Sequence, residues 1–282
     1  MTIRRNQTAA DGGQQWLLIS QIEHARISGE LASAWHADAF ATPAVREQII
    51  EMVFHHDDGW LEWERSPGVD PAEGRPRTFT EMPHSLALPI WRKSIEVCET
   101  IGPLAALTVA AHFSHLLRQS ETPSTPPATP AERCDELVAP NCDASQQASP
   151  AKLWLEEFDA RRQGWFSAWQ QQDPQRHTAQ VAADALTLLQ LWDRISLWLC
   201  CSDPTEAFEI EALHEPVTMI PISTGHARIR PWPLSIDVYR PSVEAVAVPV
   251  AFYPTAEALA AADHRAVCLR WELTADPAKT PH

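Results

Sequence analysis

Lysine and arginine are the scarce side chains of this chain: 22 of them face 37 aspartates and glutamates, for a formal net charge of −15. A surface that grips nucleic acid or anionic lipid needs clustered cations to neutralise phosphates. This balance therefore argues against both partners, while small phosphates remain open through a metal or a local basic patch. No stretch approaches the roughly 20 apolar residues of a membrane-spanning helix. Met1 to Gln15 is polar, and no apolar run follows Arg4 and Arg5, so no secretory signal peptide is expected. The six cysteines contain no CxxC pair. That leaves no zinc-ribbon or disulfide framework, and reduced thiols in a cytoplasmic protein are expected. Tyrosine is rare, with two residues against twelve tryptophans, but 45% of the chain is hydrophobic. A chain of 282 residues with that content can bury a sizeable core.

Most of the chain has helical periodicity. Trp16 to Trp35 reads as a helix, with Leu17, His24, Ile27, Leu31 and Trp35 near one face, so His24 is turned towards the core. Thr42 and Pro43 open a second helix, which runs through Val45, Ile49, Ile50 and Val53 into His55-His56-Asp57-Asp58-Gly59-Trp60. Glu64 to Arg77 is rich in Pro and Gly and reads as a loop whose position suits a lid or a substrate-contacting segment. Helices are expected over Leu88 to Val97, Pro103 to Leu117, Leu153 to Gln171 and His177 to Cys201. Beyond Pro204 the period falls to two, as in Leu234, Ile236 and Val238, which predicts a small, mostly antiparallel sheet. The expected fold is mainly α with a β-rich extension, α+β overall. The expected organisation is a flexible N-terminus (1–15), a helical domain (16–203) with a Pro/Ser/Thr-rich disordered insert at about 121–150, a β-rich extension (204–275) packed on the helical body, and a flexible tail (276–282).

Four metal-liking side chains stand in a row at residues 55–58, and Asp193 lies inside the apolar run Leu191-Trp192-Asp193-Arg194-Ile195. An isolated buried carboxylate is costly, so Asp193 needs an ionic partner or a metal. His112 and His115 lie one turn apart on a further helix. A divalent ion held by imidazoles and carboxylates would let several helices meet around these groups.

At these positions the chain resembles the HD-domain metal-dependent phosphohydrolases. Glu23-His24-Ala25-Arg26-Ile27-Ser28-Gly29-Glu30-Leu31-Ala32 looks like their first His helix, His56-Asp57-Asp58-Gly59 like their defining doublet, and Asp193-Arg194-Ile195 like their distal Asp helix, in the same order. The doublet flanked by a second His and a second Asp, ending in Gly-Trp, also looks like an uncharacterised bacterial domain-of-unknown-function branch. The resemblance implies a helical bundle in which His24, His56, Asp57 and Asp193 bind a divalent ion (Mn, Mg, Zn or Fe), with room for a second ion. Of the histidines between the doublet and the distal Asp, His112 is the first choice for it, ahead of His84 and His115. Two departures matter. Trp60 stands where many members carry Lys, and the Gly-Tyr-Pro signature of the cyclic-dinucleotide branch is absent.

The functional expectation is metal-assisted hydrolysis of a small phosphate ester or nucleotide. His55, Asp58 and His112 are the candidate acid and base groups, and Trp60, Trp63, Arg26, His84 and His115 the candidate pocket. Iron-dependent oxygenation on the same scaffold is one alternative. A non-catalytic module that binds a ligand or partner is another.

Overall fold

A computed structural model describes residues 3–9, 12–121, 149–201 and 204–277. The fold is α+β and mainly helical, as the periodicity implies. Among the described residues no helix is long and apolar enough to cross a membrane. The chain divides into two compact units, one of residues 1–36, 60–82 and 191–282, the other of residues 37–59 and 83–190.

The first unit opens with an antiparallel hairpin, β1 (Ile3–Thr8) and β2 (Gln14–Ile19). Here the structure corrects two expectations. Residues 3–8 are a strand, not a flexible end, and the helix expected from Trp16 starts only at Gln21. Trp16-Leu17-Leu18-Ile19 is buried throughout: β2 is an inner strand, paired with β1 on one edge and with residues 246–249 on the other, and Trp16 and Leu18 pack with Val248, Tyr253 and Leu259 on one of its faces. A strand covered on both faces gives an unbroken apolar run, which periodicity alone does not separate from a buried helix. Ser20 then caps α1 (Gln21–Ala34), its hydroxyl accepting from the Glu23 amide at 2.9 Å.

After α1 the unit continues with the single turn α3 (Trp60–Trp63) and the segment to Met82. The expected lid, Glu64 to Arg77, is fastened down. Glu64 accepts from the Gln21 amide at 2.8 Å, the Asp70 amide donates to the Arg75 carbonyl across a tight turn, and the Tyr253 amide donates to the Gly74 carbonyl. Gly74 has φ +60° and lies against the Phe252 ring, so a side chain there would be both strained and crowded.

The C-terminal strands are β3 (Phe208–Ile210), β4 (Val217–Ser223), β5 (His226–Arg230), β6 (Val238–Tyr239), β7 (Ser242–Pro249), β8 (Arg265–Arg270) and β9 (Glu272–Ala275). They form two sheets rather than one, ordered β1-β2-β7-β8 and β3-β4-β5-β9-β6. All pairings are antiparallel except β5 with β9. The expected C-terminal extension therefore shares a sheet with the N-terminal hairpin. α1 is fixed to β7 through two side chains: Glu23 accepts from the Glu244 amide and Arg26 donates to the Ser242 carbonyl, both at 2.7 Å. Asp276, expected in a flexible tail, donates its amide to Ile229 and pairs with Arg230.

In the second unit, α2 (Pro43–His55) buries Val45, Ile49, Met52 and Val53 along one stripe, with Thr42 as its cap. It packs with α4 (His84–Ile101) and α5 (Pro103–Glu121), which meet at Gly102, and α6 (Pro150–Gln172) packs on α4 and α5. Gly102 sits at φ +155°, open to glycine, and Pro103 restarts the helix. Trp91 of α4 stacks on Phe113 of α5 at 5.2 Å, and Trp154 of α6 lies edge-on to Trp91. α7 (Ala179–Cys201) begins in this unit and passes into the first at Leu191. The expected insert at 121–150 falls almost wholly outside the described residues.

One ion-pair cluster ties β1 to the segment before α4. Burial alone would push the Glu81 carboxyl up, but hydrogen bonds from Arg4, the Thr78 amide and Arg75 outweigh it and hold the group at about 2. A carboxylate depressed on folding stabilises the folded state above its unfolded pKa and loses that contribution as pH falls through the folded one. Glu81→Gln should therefore lower the stability at pH 7 by about 1 kcal/mol or less, since the pair is partly solvated. The gap to the wild type should close as pH is lowered towards 2. Thermal melts from pH 7 to pH 2 check this; a gap independent of pH would refute it.

Candidate metal centre

His24 is on the buried side of α1, held inward by the Glu23 and Arg26 anchors to β7. Its ring is engaged at both nitrogens: Nε2 lies 2.9 Å from Asp193 Oδ1, and Nδ1 lies 2.6 Å from the Ser196 hydroxyl. Asp193 and Ser196 are on α7 and Ser28 on α1. Ser28 and Ser196 are fully buried and their hydroxyls are 2.7 Å apart. Asp193 is 8% exposed, a carboxylate almost without water.

His56 and Asp57 follow the last turn of α2. His56 is fully buried, and its Nδ1 lies 2.7 Å from the Val53 carbonyl. A carbonyl oxygen can only accept, so Nδ1 carries the hydrogen, and in the neutral ring Nε2 has the lone pair. That is the tautomer a metal ligand needs. Nε2 stands 3.6 Å from Asp57 Oδ2. His112, also buried, meets the His56 ring edge-on at 6.1 Å.

One ligand atom from each of His24, His56 and Asp57 lies within 4.8 Å of the others, and all three residues are buried; this group could hold a metal ion. Two donors bound about 2.1 Å from one cation stand roughly 3.0 Å apart when adjacent on an octahedron, 3.4 Å on a tetrahedron and 4.2 Å when opposite. The 2.9 Å and 3.6 Å separations within the two pairs suit adjacent ligands. The donor set, two imidazoles with buried carboxylate oxygen, fits a divalent ion of the transition series.

The remaining expected residues fall elsewhere. His55 and Asp58 pair with each other, Nδ1 to Oδ2 at 2.7 Å, with the His55 side chain 46% exposed. His84 contacts Ser120, and His115 contacts Gln119 on its own helix; neither belongs to the converging group. Arg26 forms ion pairs with Glu23 and Glu30, which raise its pKa and occupy its charge. It is a structural clamp in place of the expected pocket cation. Trp60 is buried, edge-on to half-exposed Trp63 at 5.9 Å. Cys98 lies near the His55 carbonyl, but burial, with Asp58 and Asp57 adding, keeps its thiol well above the ordinary range. The described cysteines are all free.

The residues missed from sequence are Ser28 and Ser196. They stand four after His24 and three after Asp193, on the same buried faces as those two residues. A hydroxyl at a core position beside each candidate ligand was the available signal.

Gly59 has an equally local cause. Its amide donates to Ser94 Oγ at 3.0 Å, and a Cβ at this position would run into the Ile90 carbonyl and the Ser94 amide of α4. The doublet is thus seated by backbone-to-helix contact that only glycine allows. Gly59→Ala should cost about 1–3 kcal/mol or more of stability through overpacking. Urea unfolding measures it, and an unchanged midpoint would disprove the close approach.

A family model described as "Protein of unknown function (DUF3891)" matches residues 9–250. No curated protein and no solved structure matches the chain.

Proposed function

The chain belongs to the DUF3891 family, and we propose that it is a metal-dependent hydrolase of a small phosphate ester or nucleotide, its ion held by His24, His56, Asp57 and Asp193. One observation carries the reading: the buried convergence of His24, His56 and Asp57. The HD-domain resemblance selects those three residues and adds Asp193, which lies against His24 Nε2.

When bound, a divalent ion supplies Lewis-acid polarisation of a phosphoryl oxygen and lowers the pKa of water. The chain's own residues do the rest. His56 is locked with Nε2 as its lone-pair nitrogen by the Val53 carbonyl. Asp58 accepts from His55 Nδ1–H, and His55, whose side chain is 46% exposed, would take up or return a proton through Nε2. His112 is a second proton-moving candidate beside His56. The arginines with phosphate-binding potential are engaged: Arg26 with Glu23 and Glu30, Arg92 with Glu157. On this reading the substrate's negative charge is met chiefly by the ion.

A second reading has an observation of its own. Two imidazoles and one carboxylate are the donor set of non-haem Fe(II) oxygenases, so the same centre suits iron-dependent oxygenation.

Elemental analysis after aerobic purification and reconstitution decides between them. Wild type should carry about one equivalent or more of Mn, Zn or Fe, and His56→Ala and Asp57→Ala should each retain tenfold less or lower, beyond the effect of losing an outer-shell partner. Metal-loaded wild type should hydrolyse members of a phosphoester and nucleotide panel. A wild type without metal, or variants with equal content, would remove the centre. Two bound irons with oxygen-dependent turnover would replace the hydrolase by the oxygenase.

A further inference from the structure

The two buried histidines of the centre are held at Nδ1 by partners of different kinds, and this difference has chemical consequences. His56 Nδ1 faces a backbone carbonyl, which accepts and never donates, so its tautomer is fixed. His24 Nδ1 faces the Ser196 hydroxyl at 2.6 Å, which can do either. That hydroxyl has two further neighbours, the Asp193 carbonyl at 2.9 Å and the Ser28 hydroxyl at 2.7 Å. Ser28 in turn reaches the His24 carbonyl at 3.2 Å and the Trp192 carbonyl at 3.4 Å. All of these groups are buried.

Both neutral tautomers of the ring are compatible with these contacts, and one hydrogen arrangement illustrates each. In the first, His24 Nε2–H donates to Asp193, Ser196 donates to Nδ1, and Ser28 donates to Ser196. In the second, the ring hydrogen is on Nδ1 and donates to Ser196, whose own hydrogen turns to the Asp193 carbonyl, and Nε2 presents its lone pair. The first suits the 2.9 Å contact between Nε2 and a carboxylate oxygen, where a lone pair facing Asp193 would be repelled. The second is the one that a ligand nitrogen requires.

We propose that Ser196 is a positioning residue that lets His24 change tautomer: its hydroxyl donates to Nδ1 without metal and accepts from Nδ1–H with metal bound. The ring stays neutral and no buried donor or acceptor is stranded in either state. Ser28 completes the relay by giving Ser196 a second partner. The proposal rests on the metal-centre reading above and adds a role to residues outside the ligand set.

Zinc binding to the full chain tests it, with affinity and histidine ring ¹⁵N shifts as readouts. Wild type should bind Zn²⁺, and the His24 signals, assigned with His24→Gln, should pass from Nε2–H to Nδ1–H on binding, while His56 stays Nδ1–H throughout. Ser196→Ala should fold but bind Zn²⁺ about 10–100-fold more weakly, the usual cost of losing an outer-shell partner of a ligand histidine, and Ser196→Thr should restore affinity. If wild type binds and Ser196→Ala binds equally well, or if His24 is already Nδ1–H without zinc, the Ser196 role is wrong and the centre stands. If wild type takes up no zinc, manganese or iron, the centre and the relay fall together.

Discussion

A carboxylate taken out of water must find positive charge or several hydrogen bonds, and Asp193 and Asp57, both buried, set that requirement for the structure around them. Desolvating an isolated carboxylate costs far more than one neutral hydrogen bond returns. The elements are arranged accordingly. α1 is rotated by its Glu23 and Arg26 contacts to β7 so that His24 meets Asp193. The turn after α2 is drawn onto α4 by a glycine that leaves no room for a side chain. Neither contact forms a functional group, yet each decides which way a candidate ligand points.

The charge balance of the chain is consistent with this. The surplus of acid is not spread evenly over unpaired groups: Glu81, Glu157 and Asp276 are each bound by arginine. Few arginines among those with assigned partners are left to recognise an anionic ligand. A protein of charge −15 that acts on phosphates would gain most from a bound cation, which reverses local charge where side chains do not.

What the sequence revealed and what it hid follow from the same physics. His24, His56-Asp57 and Asp193 were legible because polar side chains on apolar faces break the pattern around them. The strand at Trp16–Ile19 was not: both of its faces are buried, so it shows no alternation, and its partner β7 is more than 220 residues away in sequence. The two-sheet arrangement was lost for the same reason, since alternation marks a strand but not its partner. Arg26, expected as a candidate pocket residue, has Glu23 three before it and Glu30 four after it, the spacing of helical ion pairs. Its third partner, the Ser242 carbonyl, is visible only in the fold. Ser28 and Ser196 were passed over because a serine in a helix is ordinarily a neutral filler; burial turned them into hydrogen-bonding partners.

The donor atoms also constrain the ion. Calcium takes six to eight oxygens and magnesium keeps an octahedral shell rich in oxygen and water, whereas His24 and His56 offer nitrogen. Imidazole lone pairs suit zinc, iron and nickel, and mixed imidazole–carboxylate sets extend to manganese. The lock on His56 sharpens this choice, because a ring whose Nε2 already holds the lone pair loses no proton to a metal that binds there. If the proposed centre holds a metal, its imidazole donors favour a nitrogen-preferring ion, and the proposed hydrolysis and the alternative iron-dependent oxygenation would both draw on such an ion.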